Sequence, residues 1–182
     1  EPQPEGLCAA SDVPHFRSYQ AGTQVAYRQA QAYVQVTQDL MHTLSGYVDF
    51  PALHLPDITA DPELADSIVP QMAAQQVRHE WGLGNGPIGH LLRVVEDHGI
   101  CVVFAPFEFA GLGSYSVFNG GNPLIVLDPA SGNYYRQRFN LAHELGHLVM
   151  HSDAEPGNKV IEAQADVFAA ELLAPGDQMC AE

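Results

Sequence analysis

Two neighbouring stretches limit the fold more than any other part of the chain. FNLAHELGHLVMH covers residues 139–151, and EAQADVFAAELLAP covers residues 162–175. Both repeat apolar residues at helical spacing, and neither holds a proline before its end. Each carries ionisable groups four residues apart: His143 and His147 in the first, Glu162 and Asp166 in the second. Residues at that spacing share one helical face, with Cβ atoms about 5–6 Å apart. Behind the two acids, Ile161, Ala165, Phe168 and Leu172 form an apolar stripe that must be packed down. If both polar faces serve one site, the two helices have to lie side by side.

The spacing suits a metal. Two imidazoles one turn apart can reach one ion at about 2.0–2.1 Å. Glu144, one step round the helix, is placed to take a proton from a water activated by that ion. Catalytic zinc commonly has three protein ligands and an open position. Asp153, six residues after His147, is a poor third ligand. The HExxHxxGxxH pattern that turns a ligand back from there needs a glycine where this chain has Met150. Glu162 is the better one, and Asp166 can accept the free ring N–H of a ligating histidine and fix its tautomer. His151 continues the line of His143 and His147 by one more turn. It lies too far along the helix to bind the same ion easily, which leaves a supporting or packing role. Tyr115, Tyr134 and Tyr135 are the tyrosines nearest the motif for stabilising an oxyanion, and nothing in the sequence chooses among them.

The rest of the chain fixes an α+β class. Helical spacing runs from Thr23 to about Leu44, through Val25, Tyr33, Val36, Leu40 and Leu44. A proline-rich connector, GYVDFPALHLPDITADP, follows. Pro62–Trp81 reads as a helix capped by Asp61 and questioned by Pro70; Ile88–His98 reads as a second, stopped by Gly99. ICVVFA is a short buried strand. SYSVF and PLIVLD flank NGGN, a hairpin signal, and either could form a sheet edge that takes an extended peptide. Helices Tyr134–His151, after the turn SGN, and Lys159–Ala174 complete the order. Helices, then strands, then helices predict a small sheet with helices packed on it. A soft boundary near residue 60 divides an N-terminal helical extension, 1–60, from a main domain, 61–182. GNGPIG at 84–89 spells GxGxxG, but helical residues precede it where a dinucleotide site needs a strand.

Composition excludes several classes. Seven Lys+Arg against 22 Asp+Glu give a formal charge of -15, so this chain by itself is not expected to grip nucleic acid. Cys8, Cys101 and Cys180 are odd in number and form no CxxC pair, which fits free thiols and a cytoplasmic location. No apolar run approaches the ~18 residues of a membrane span. No signal peptide is recognised, and a first residue of Glu suggests a piece of a longer chain.

The run RFNLAHELGHLVMH followed by EAQADVFAAELLAP resembles the ImmA/IrrE family of zinc metallopeptidases. The family pattern is RFxxAHELGHxxxH, then ExxAxxFAAxLLxP. Matching is dense over about residues 136–175 and looser over 77–104. The resemblance implies a thermolysin-like metallopeptidase core with a small twisted sheet. It implies Zn2+ held by His143, His147 and Glu162, with Glu144 as general base. Ala174 stands where the family commonly has Met, away from the chemistry. Residues 14–58 are similar to the linker of larger bacterial regulators that join an XRE-type helix-turn-helix to this domain. That context implies a repressor-type protein substrate and a DNA-binding unit outside these residues.

Three functions compete. In the first, the chain is a zinc endopeptidase of a transcriptional regulator. In the second, an intact zinc site only senses a ligand or partner and controls an attached DNA-binding unit; such a role does not require Glu144. In the third, the zinc is structural, which would want four closed ligands, and no cysteine lies near the motif.

Overall fold

In a computed structural model the protein is described over residues 24–56, 58, 60, 61, 63, 68–106, 113–118, 122–130, 132–151 and 158–176. Among these residues the fold is α+β, with five helices and a three-stranded sheet. The helices are α1 (Gln24–Leu44), α2 (Val69–Glu80), α3 (Leu91–Asp97), α4 (Tyr134–Met150) and α5 (Lys159–Leu173). The strands are β1 (Cys101–Phe104), β2 (Tyr115–Val117) and β3 (Leu124–Leu127).

The sheet order is β1-β3-β2. β3 is central: it pairs in parallel with β1, Cys101 opposite Leu124, and antiparallel with β2, Tyr115 opposite Val126. PLIVLD is therefore no edge, whereas SYSVF is one among the described residues. The antiparallel pairing is the hairpin expected from NGGN, although residues 119–121 of that turn lie outside the described residues. All four residues of β3 are buried, as a strand covered on both faces requires.

The two faces meet different helices. Ile125 and Leu127 join the main core with Leu141, Leu145 and Met150 of α4, Phe168 and Leu172 of α5, and Val77 of α2. Leu124, Val126, Tyr115 and Val117 face α1. There α1 packs through Ala30 and Val34, whose small side chains let a helix lie close to a sheet, and Tyr33 Oη donates to Phe104 O at 2.9 Å. The helical spacing read from the sequence holds, but most of the residues that carry it do not face the sheet. Val25, Val36, Leu40 and Leu44 point outward and are exposed, and only Tyr33 of that set touches the sheet cluster.

Helix boundaries follow local chemistry. α2 begins at Val69, with Pro70 in its first turn. Proline costs nothing there because its missing N–H would be unpaired anyway, so Pro70 opens the helix instead of kinking it. The expected start at Pro62 falls partly on residues 62 and 64–67, outside the described residues; Asp61 Oδ1 accepts from Glu63 N at 2.9 Å. α3 starts three residues later than its spacing suggested, because 88–90 belong to a loop. Gly99 ends it at φ +81, and a Cβ there would meet Leu53 Cα at 2.7 Å. Asn133 and Asn158 cap α4 and α5, accepting from Arg136 N at 3.0 Å and Val160 N at 2.9 Å.

The GNGPIG loop turns carbonyls toward two arginines. The buried Arg78 guanidinium donates to Gly84 O, Gly86 O and Leu172 O, and Arg138 donates to Ile88 O and Gly89 O. A phosphate cradle needs backbone N–H donors, so the four bonds to loop carbonyls argue against a dinucleotide loop.

The connector between α1 and α2 closes the back of the core. Trp81 Nε1 donates to His54 O at 3.0 Å, and His54 N donates to His98 O at 3.1 Å. Ile58 N and Ala60 N donate to Val149 O and Met150 O, at 3.3 and 3.2 Å. The last carbonyls of α4, which lack helical partners, are satisfied this way. No helix among the described residues is long and apolar enough to cross a membrane.

Candidate metal centre

α4 packs more extensively on α5 than on any other element. Gly146 allows the approach: a Cβ at that position would lie 2.9 Å from Cδ1 of the buried Phe168 ring. The close packing brings His143, His147 and Glu162 together, with one donor atom from each within 4.8 Å of the others. His143 Nε2 lies 3.0 Å from His147 Nε2 and 3.3 Å from Glu162 Oε2; His147 Nε2 lies 3.7 Å from Glu162 Oε1. Glu144, on the same helix, is buried.

The remaining ring nitrogens point away from the cluster. His143 Nδ1 is 2.8 Å from Asp166 Oδ1, on the open side, where Asp166 is largely exposed. His147 Nδ1 is 3.1 Å from His151 Nδ1, on the buried side.

This geometry calls for a cation. With Nδ1 of both histidines committed elsewhere, two Nε2 lone pairs converge beside a carboxylate. Glu162 Oε1 is buried and meets no hydrogen-bond donor among the described residues. A proton meets the demand in part. Burial works against a charged His143, but the hydrogen bond to Glu162, the charges of Glu144 and Glu162 and the hydrogen bond to Asp166 outweigh it. The net effect lifts the imidazole to about 9. A divalent ion meets the demand more fully, and two imidazoles plus one carboxylate form a donor set well suited to zinc. His143, His147 and Glu162 could thus hold a metal ion.

The tyrosines do not gather here. Tyr115 is buried on the α1 side of the sheet, where burial, and then Tyr33, push its phenol well above its ordinary range. Tyr134 and Tyr135 are exposed at the start of α4, and Tyr134, nine residues before His143, is roughly 13 Å away along the helix axis. Asp153, Cys8 and Cys180 lie outside the described residues; Cys101 is a free, partly buried thiol on β1.

Gln164 was missed in the sequence, although a signal was present. It sits three residues after Ile161 and four before Phe168, on the apolar stripe, and it is almost fully buried. A polar residue at a core position needs partners, and Gln164 has His151 and Asp61.

Comparison with known proteins places this site in a peptidase setting. Residues 95–182 match the model of a peptidase family described as the IrrE N-terminal-like domain. The matched segment runs from the end of α3 through all three strands to the end of the chain and includes every residue of the cluster. No curated protein matches the chain significantly. The matched segment is thus similar to a metallopeptidase-type domain, and the cluster is a candidate metal site within it.

Proposed function

We propose that this chain is a zinc-dependent endopeptidase domain that hydrolyses a peptide bond in a protein substrate. The observation that carries the reading is the convergence of His143 Nε2, His147 Nε2 and the Glu162 carboxylate beside the buried Glu144. The HExxH spacing alone yields two imidazoles; the third donor comes from a different helix, inside a segment matched by a peptidase family.

His143, His147 and Glu162 would hold the ion, which when bound supplies Lewis acidity that acidifies water and polarises a carbonyl oxygen. Glu144 accepts the proton from the attacking water and returns it to the leaving amine. Asp166 accepts the His143 Nδ1–H, keeping its Nε2 lone pair turned inward. An extended substrate fits the outer edge of β2, a strand packed against α4, by adding its own backbone pairing to the sheet.

The division near residue 60, a thermolysin-like core for residues 61–182 and a cytoplasmic setting belong to the same reading. So do a repressor-type substrate and an XRE-type helix-turn-helix in the longer protein, both supported by the resemblance of the motifs. The test is Glu144→Gln. The variant should keep one zinc per chain and lose cleavage of a repressor-type protein by about 10²–10⁴-fold. Cleavage that survives the substitution would refute the mechanism.

A further inference from the structure

Beyond these ligands, we infer that His151 and Gln164 are positioning residues: with the Asp61 main-chain carbonyl they form a buried relay that fixes the tautomer of His147. The inference rests on the metal-site reading above. Three contacts run in series. His147 Nδ1 is 3.1 Å from His151 Nδ1, His151 Nε2 is 2.9 Å from Gln164 Oε1, and Gln164 Nε2 donates to Asp61 O at 2.8 Å.

The direction of every bond follows from the last one. A main-chain carbonyl only accepts, so Gln164 must turn its NH₂ toward Asp61 and its oxygen toward His151. The opposite amide orientation would set two acceptors, Gln164 Oε1 and Asp61 O, face to face. Gln164 Oε1 then requires a proton on His151 Nε2. A neutral His151 has its lone pair on Nδ1 and accepts there from His147 Nδ1–H. His147 therefore keeps its lone pair on Nε2, the atom that faces His143 and Glu162. No group in the chain gains or loses a proton.

The two ligand histidines are thus oriented by unlike means. His143 uses a carboxylate, Asp166, on the exposed side. His147, His151 and Gln164 are each at most 3 % exposed. A lone carboxylate there would carry a large desolvation cost, and a neutral relay avoids it. The relay ends on Asp61, outside the segment matched by the family model. The same connector also satisfies the last carbonyls of α4 through Ile58 N and Ala60 N. The connector before α2 is therefore part of the metal centre's support.

The test compares two substitutions of nearly equal size. His151→Asn leaves an oxygen about where Nδ1 stood, able to accept from His147 Nδ1–H. His151→Leu has no acceptor. Zinc affinity, measured on the full chain by competition with a chromophoric chelator, should fall about 10–100-fold in H151L and far less in H151N. Long-range proton–nitrogen correlation on the zinc-loaded wild type, labelled at histidine, should show His147 as the Nδ1–H tautomer and His151 as the Nε2–H tautomer. This second readout needs no variant to fold. Equal zinc affinity in H151L and wild type, equal losses in the two variants, or a proton on His151 Nδ1 would overturn the relay and leave the metal site standing. A wild type with no affinity for zinc would overturn both.

Discussion

Replacing Gly146 by Ala tests whether close packing of α4 on α5 builds the centre. The added Cβ would lie 2.9 Å from Phe168 Cδ1, 3.1 Å from Cγ and 3.3 Å from Cβ. Carbon atoms prefer separations of about 3.5–4.0 Å, so relief needs a displacement of roughly 0.5–1 Å. Phe168 is fully buried and cannot swing into solvent, so part of that movement separates the helices. Overpacking of this kind costs about 1–3 kcal/mol, while Ala gains about 1 kcal/mol over Gly in helix propensity. The net loss of stability should be about 0–2 kcal/mol, small enough for a folded protein. Metal binding is less forgiving, because ligand distances tolerate only about ±0.2 Å. Glu162 rides on α5 and the two histidines on α4, so zinc affinity should drop at least about tenfold, or ~1.4 kcal/mol. Denaturant unfolding of the metal-free protein gives the first quantity and chelator competition the second. Adding Phe168→Leu to the variant should recover much of the zinc affinity. A G146A protein that binds zinc as tightly as wild type would refute the packing argument.

Other outcomes follow from the same geometry. In the metal-free protein His143 holds its proton up to about pH 9, so zinc must displace that proton at neutral pH. Apparent zinc affinity should therefore weaken as pH falls below about 9, and calorimetry in buffers of different ionisation enthalpy should count close to one proton released from His143 near pH 7. Gly99→Ala forces a side chain into the left-handed region and against Leu53 backbone atoms at 2.7 Å; it should cost about 2 kcal/mol or more, read from denaturant midpoints. Arg78→Met removes a buried guanidinium from Gly84 O, Gly86 O and Leu172 O, and thermal unfolding should show a loss of several kcal/mol. An Arg78→Met protein as stable as the parent would remove the loop-pinning role.

Much of this protein was legible before any tertiary contact was known, because its signals are local. The four-residue spacing of His143 with His147 and of Glu162 with Asp166 is a property of single helices. So are the periodicity of α4 and α5 and the helix stop at Gly99, and the NGGN hairpin is equally local. What the sequence left open depends on which surfaces meet. The helical spacing of α1 was visible in Val25, Val36, Leu40 and Leu44, but periodicity does not say which face packs; the sheet took the smaller Ala30 and Val34, and those four are exposed. Pro70 looked like a kink until the helix began beside it. The parallel pairing of β1 with β3 joins strands that are not adjacent in sequence. His151, Gln164 and Asp61 come from three separate segments, and their hydrogen-bond polarity is set by one carbonyl at the far end. Short-range spacing determined which residues could bind a metal, and long-range packing alone decided which atoms face it and what holds them there.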